Sequence, residues 1–200
     1  EGLAARLPEF DPVVVDVGNG AGGVTARALQ DLGCAVETLN AQPDGAFPGR
    51  PSEPTPEHCT SLSTLVGNSD ADLGIAHDGD ADRAVFVDET GHPIAGEASL
   101  AALAAAELDA GATMVAAIDS SQRLVDVVEE AGARLELTPI GASHLITAIE
   151  RLQATGTAIP IAGEGNGGGV FLSLFHISQA PRRRGNSDCG FFFEKKKIST

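Results

Sequence analysis

The segment His77-Asp78-Gly79-Asp80-Ala81-Asp82-Arg83 sets three carboxylates at alternate positions beside one guanidinium. Alternate residues of an extended segment point the same way, so Asp78, Asp80 and Asp82 are expected to converge. Converging carboxylates repel one another unless a cation sits among them. Hard oxygen donors in that number suit Mg²⁺ or Ca²⁺. Arg83 adds a planar fork that matches two phosphate oxygens. A hard cation beside an arginine is equipment for phosphoryl transfer, in which the metal polarises the phosphoryl group and the arginine stabilises its charge. An EF-hand loop would draw on Asp78, Asp80, Asp82 and Glu89, but its sixth position needs glycine for a sharp turn and is Arg83 here. A merely acidic surface turn explains neither the regular spacing nor the arginine.

A second pattern competes. Gly18-x-Gly20-x-x-Gly23 follows the β-branched run Val13-Val14-Val15-Asp16-Val17 and opens a helical stretch, with Glu37 near the end of the next strand. This is the outline of a dinucleotide fingerprint, and it makes an NAD-type oxidoreductase the alternative reading. The same glycines would serve any tight turn with a closely packed helix. Gly163-Glu164-Gly165-Asn166-Gly167-Gly168 is a glycine turn carrying one carboxylate and one amide. On its residues alone, a glycine cluster of this kind usually marks a flexible turn. Ser143 beside His144 invites a nucleophile reading. Adjacent helical residues project about 100° apart, so Ser143 is not assigned that role.

These residues need elements to position them. The run 13–17 predicts a buried strand, 24–32 a helix stopped by Gly33, and 34–39 a second strand. Residues 40–56 hold Pro43, Pro48, Pro51, Pro54 and Pro56 and read as a long stiff loop. A helix over 57–66 and strands over 72–76 and 84–88 place the acidic segment between two strands. The grammar then restarts, with helices over 98–108, 122–131 and 143–152 and strands over 113–118, 134–137, 159–162 and 170–174. The expected fold class is α/β: two similar domains with mixed, mostly parallel sheets flanked by helices. The expected boundaries are 1–97, 98–180 and an atypical basic tail over 181–200.

Composition narrows the function. The 200 residues are 42% hydrophobic and 20% charged, enough to bury a core and unlike a disordered chain. Eight Phe with no Trp or Tyr disfavour a single-strand binder that stacks bases. A net charge of −15 repels phosphate backbones, so no nucleic-acid partner is expected. No apolar run reaches the roughly 18 residues of a membrane helix, and Glu1-Gly2-Leu3 does not open like a secretion signal. Cys34, Cys59 and Cys189 are odd in number, without metal or redox spacing, as befits reduced thiols in the cytoplasm. Residues 1–180 hold seven Arg, no Lys and 26 acids, whereas the last twenty hold six bases and two acids. The acidic body suits a salt-loving cytoplasm. The tail's abrupt shift suggests an addition or a change of reading frame.

The acidic segment resembles the metal loop of the α-D-phosphohexomutases, the phosphomannomutase, phosphoglucomutase and phosphoglucosamine mutase family. The opening Val13 to Gly23 stretch is similar to the start of that family's second domain. Pro43-Asp44-Gly45-Ala46-Phe47-Pro48 and Glu53-Pro54-Thr55-Pro56-Glu57 are similar to its proline-rich stretch. The glycine turn 163–168 resembles the sugar loop of its third domain in an archaeal form. Together these span residues 10–172 in the family's order. The resemblance implies that Asp78, Asp80 and Asp82 ligate Mg²⁺ and that Arg83 contacts the phosphate of a phosphoserine or the substrate. It implies that Glu164 and Asn166 bond sugar hydroxyls. It implies transfer of phosphate between C1 and C6 of a hexose or aminohexose through a bisphosphate. The family's phosphorylated serine loop and its phosphate-binding loop have no counterpart in these residues, so the chain alone is expected to be inactive. A non-catalytic, Mg²⁺-dependent sugar-phosphate module is the other alternative. Ala142 and Gly168 stand where some relatives carry histidine, which leaves the sugar open.

Overall fold

Val13-Val14-Val15 has no polar alternation, the pattern of a strand covered on both faces. It forms β1 (Val13–Asp16), and every residue of that strand is buried. The computed structural model describes residues 12–165 and 169–171. The described residues fall into two compact units, one ending at Ala95 and the other beginning at Gly96.

In the first unit β1 is followed by α1 (Gly23–Asp31), β2 (Val36–Leu39), α2 (Thr60–Gly67), β3 (Leu73–His77), β4 (Ala84–Asp88) and β5 (Pro93–Ile94). The sheet order is β2-β1-β3-β4-β5. β1 runs parallel to β2 and β3, while β4 returns antiparallel to β3 and β5 antiparallel to β4. Alternation along β1 divides the core. Val13, Val15 and Val17 pack with Ala26 of α1, Ile75 and Phe86 on one face. Val14 packs with Leu62 and Val66 of α2, Cys59 and Val87 on the other. The result is a helix–sheet–helix sandwich.

The second unit repeats the plan with α3 (Gly96–Glu107), β6 (Thr113–Ala117), α4 (Gln122–Glu130), β7 (Arg134–Thr138), α5 (Ala142–Gln153), β8 (Ile161–Gly163) and β9 (Gly169–Phe171). The order β7-β6-β8-β9 reproduces the first four strands of the other sheet. β6 is parallel to β7 and β8, and β9 returns antiparallel. All of β6 is buried, and Val115 packs against Leu145 and Ile149 of α5. The expected α/β class with two similar, mixed-sheet units is therefore what the chain forms.

Some edges differ from the sequence expectation. β8 begins at Ile161 rather than at residue 159, because Pro160 has no N–H for a ladder. α2 begins at Thr60 rather than at residue 57, because Cys59 departs from helical dihedrals, with φ −95° and ψ 15°. β5 was not anticipated, since two residues leave no period to detect. Residues 172–174 of the last expected strand and the whole tail 181–200 lie outside the described residues. Among the described residues no helix is long and apolar enough to cross a membrane.

Candidate functional site

β3 and β4 are paired as far as His77 opposite Ala84, so residues 78–83 form the loop of a hairpin. Ala81 holds a left-handed φ of +62°, and its N–H donates to the Asp78 carbonyl at 3.2 Å. The turn brings one oxygen of each of Asp78, Asp80 and Asp82 to within 4.8 Å of one another. Alternation in an extended segment predicted this convergence, but a tight turn produces it. Asp78 is buried, while Asp80 and Asp82 are exposed.

The electrostatics fit a hard cation. Burial alone would raise the Asp78 carboxyl. The Arg83 backbone N–H, the Asp82 side chain and the Arg83 guanidinium outweigh it and hold Asp78 below the usual carboxylate range. Asp82 is pushed the other way, by desolvation and then by the Asp78 and Asp80 carboxylates, against a smaller opposing pull from Arg83. That crowding is what a divalent ion relieves. Three carboxylate donors on one short loop suit oxygen-seeking Mg²⁺ or Ca²⁺ and leave positions for water or phosphate oxygens.

Arg83 is already engaged on two sides. Its Nε donates to Asp78 Oδ2 at 2.9 Å, and its backbone N–H donates to Asp78 Oδ1 at 3.1 Å. Its two terminal nitrogens donate to both oxygens of Glu53, at 2.6 and 2.8 Å. Glu53, desolvation opposing it, and then Asp78 raise the Arg83 pKa further above its ordinary value. The fork that sequence reasoning offered to phosphate is thus held by a carboxylate of the proline-rich loop.

That loop is fastened beneath the site by Asp16, Asn19, Asn40 and Arg50, none of which lies in the acidic segment. Arg50 Nε donates to Asp16 Oδ2 at 2.7 Å, and both side chains are buried. The other Arg50 nitrogens donate to the carbonyls of His77, Asp16, Pro51 and Ser52. Asp16 Oδ1 accepts from the Gly18 N–H and from Asn40 Nδ2. Asn19 donates to the Gln42 carbonyl and accepts from the Gly49 N–H. Arg50 therefore ties the ends of β1 and β3 to the segment carrying Glu53. One signal was available: an isolated arginine within a loop, in a body of 26 acids and no lysine, invites a search for its carboxylate partner.

The glycine-rich turn belongs to this assembly. In a dinucleotide fingerprint the second glycine lets the pyrophosphate approach the backbone. Here a Cβ at Gly20 would lie 2.3 Å from the Gly79 carbonyl oxygen. The Ala21 N–H donates to that same oxygen at 3.1 Å. The backbone of the 78–83 loop occupies the approach that a pyrophosphate would need, and Glu37 is an exposed residue of edge strand β2. The oxidoreductase alternative is not supported.

Glu164 follows β8 in the second unit. Its Oε1 accepts from the Gly141 N–H at 2.7 Å, which fastens the segment after β8 to the start of α5. Asn166 lies outside the described residues. Ser143 and His144 are exposed in the first turn of α5.

Sequence models of phosphoglucomutase/phosphomannomutase α/β/α domain II and domain III match residues 5–91 and 90–178, respectively. The chain belongs to the phosphoglucomutase/phosphomannomutase family. A phosphoglucomutase/phosphomannomutase of Thermococcus kodakarensis is 44% identical over 162 residues, covering 80% of this chain and 34% of that protein. A probable phosphoglucosamine mutase of Methanosarcina barkeri is 42% identical over 164 residues, covering 81% of this chain and 36% of that protein. The crystal structure of a family protein from Burkholderia thailandensis superposes with a TM-score of 0.72 at 32% identity, over 84% of this chain and 37% of that one. The chain thus spans about a third of the length of the curated relatives it matches.

Proposed function

We propose that this chain supplies the metal-binding and sugar-recognition portions of a cytoplasmic phosphohexomutase. Such an enzyme moves phosphate between C1 and C6 of a hexose or aminohexose phosphate. The observation that carries this reading is the meeting of Asp78, Asp80 and Asp82 within 4.8 Å beside Arg83. The mutase names of relatives at 44% and 42% identity support it.

In this reading Asp78, Asp80 and Asp82 hold Mg²⁺, which when bound neutralises charge on a transferring phosphoryl group. Arg83 binds a non-transferring oxygen of the same phosphate and stabilises it as negative charge redistributes. Asp78 accepts from Arg83 and aims its guanidinium along the loop. Glu164 and Asn166 bond sugar hydroxyls and orient the ring. A phosphoserine gives its phosphoryl group to the free hydroxyl of the sugar phosphate, forming a 1,6-bisphosphate. The other phosphate then returns to the serine. No serine of this chain is assigned that role. The acidic, lysine-free body fits a cytoplasm of high salt.

The test is a melting experiment on the chain with Mg²⁺ and then glucosamine 1-phosphate or mannose 1-phosphate. Mg²⁺ is expected to raise the Tm, and sugar phosphate to raise it further. Asp80→Asn should remove the first shift, and Glu164→Gln only the second. An Mg²⁺ shift unaffected by Asp80→Asn would sink the metal assignment. An Mg²⁺ shift with no sugar-phosphate effect would leave a metal-binding module.

A further inference from the structure

We propose that Glu53 is an internal ligand of the anion site, holding the Arg83 fork until a phosphate group displaces it. The inference rests on the reading of Arg83 as a phosphate contact.

The geometry is that of substitution. Glu53 meets the two terminal nitrogens of Arg83 with both carboxylate oxygens, at 2.6 and 2.8 Å. Two oxygens of a phosphate would use the same parallel N–H pair. Glu53 is not needed to aim the guanidinium, because Asp78 Oδ2 already fixes Nε from the other side at 2.9 Å. It fills the remaining fork.

The contact is also built to exchange. The Glu53 side chain is 52% exposed and that of Arg83 is 32% exposed, so water competes for both. Exposed ion pairs of this kind are weak. The sealed Asp16–Arg50 pair nearby is the contrast, with side chains only 1% and 4% exposed. The backbone of Glu53 is anchored: its carbonyl accepts from His58 Nδ1 at 2.7 Å and from the Thr55 N–H at 3.0 Å. Arg50 holds the carbonyls of Pro51 and Ser52. Release therefore requires only a rotation of the Glu53 side chain.

Charge gives the exchange a direction. Asp78, Asp82 and Glu53 pair with the Arg83 guanidinium, and Asp80 joins Asp78 and Asp82 as a fourth carboxylate of the cluster. An arriving phosphate dianion is repelled by that set. A cation on the triad and withdrawal of Glu53 both remove negative charge, so metal loading favours the exchange. A weakly bound monoanion that cannot outcompete Glu53 is kept off Arg83.

The experiment titrates inorganic phosphate into the 200-residue chain in saturating Mg²⁺ and reads the dissociation constant by calorimetry. Glu53→Gln and Glu53→Ala are expected to bind phosphate about three- to tenfold more tightly than the unaltered chain. Arg83→Gln should abolish binding in either background. Equal or weaker binding by both Glu53 variants, with binding still dependent on Arg83, would show that Glu53 is a prop and overturn the inference alone. Binding that survives Arg83→Gln, or no binding by any of the proteins, would overturn the Arg83 reading and the inference with it.

Discussion

Arg50 and Asp16 form an ion pair sealed beneath the strand ends that carry the site, with Nε 2.7 Å from Oδ2. The pair joins the end of β1 to the proline-rich loop, and a further Arg50 nitrogen reaches the His77 carbonyl, one residue before Asp78. Removing one partner of a buried pair strands the other charge in a poorly solvated place. Asp16→Asn is therefore expected to cost about 3–5 kcal/mol in urea unfolding. A loss under about 1 kcal/mol would show that the pair does not lock the loop.

Gly20 and Gly23 belong to one sequence pattern but meet different surroundings. A methyl group at Gly20 would press on the Gly79 backbone, which cannot yield as a flexible side chain can. Gly20→Ala should lose about 1–3 kcal/mol, as overpacked sites do, and should weaken Mg²⁺ binding by shifting the loop. A Cβ at Gly23 meets nothing within 4 Å. Gly23→Ala should stay within about 0.5 kcal/mol of the unaltered chain. Thermal melts with and without Mg²⁺ compare the two, and equal effects would refute the packing role assigned to Gly20.

Cys59 immediately precedes α2 and has no exposed surface. Burial pushes its thiol up to about 11, with Arg50 opposing and Asp16 adding. At pH 8 the reactive thiolate is then about one part in a thousand, besides being inaccessible. Iodoacetamide should leave Cys59 unlabelled in the folded chain and label it in urea, as read by peptide mass spectrometry. Rapid labelling of the native protein would contradict the packing described.

Asp88 closes the turn between β4 and β5. Its Oδ1 accepts from the Thr90 N–H, the Thr90 hydroxyl and the His92 N–H at 3.0, 2.6 and 2.9 Å. Burial would raise its carboxyl, but these bonds outweigh it and hold the group below its ordinary value of 3.8. A carboxyl depressed in the folded state contributes stability above the unfolded value. That contribution is lost as pH falls from 3.8 through the lower folded value. With the side chain 36% exposed, its size is well below about 1 kcal/mol. The stability gap between the unaltered chain and Asp88→Asn, present at pH 7, should close as pH drops below 3.8. A gap independent of pH would assign the effect to shape alone.

Much of the fold was legible because it is written in local patterns. β1 opens on the β-branched run Val13-Val14-Val15 and β6 is an unbroken apolar or β-branched run, and buried parallel strands need no alternation. The start and end of β4 match the sequence expectation, since the acidic segment before it and the Glu89 to His92 turn after it bound the run. β5 was invisible because its pairing with Phe86 and Val87 is set by the hairpin and not by its own two residues. The gathering of Asp78, Asp80 and Asp82 was equally legible, since the three lie within five residues of one another. The turn that makes them converge is not legible, because nothing in an alanine marks the left-handed φ that Ala81 adopts.

By itself, then, the sequence determined the repeated α/β grammar and the grouping of three aspartates with Arg83, both of which depend on residues close together in the chain. Only the tertiary structure decided what stands around that loop. Asp16 and Arg50 lie 34 positions apart, and Glu53 and Arg83 lie 30 apart. Nothing local selects these partners. They meet because the parallel pairing of β1 with β3 brings the two strand ends together and the proline-rich loop returns across them. The same return places Gly20 against Gly79, turning an apparent nucleotide fingerprint into the seat of the acidic loop.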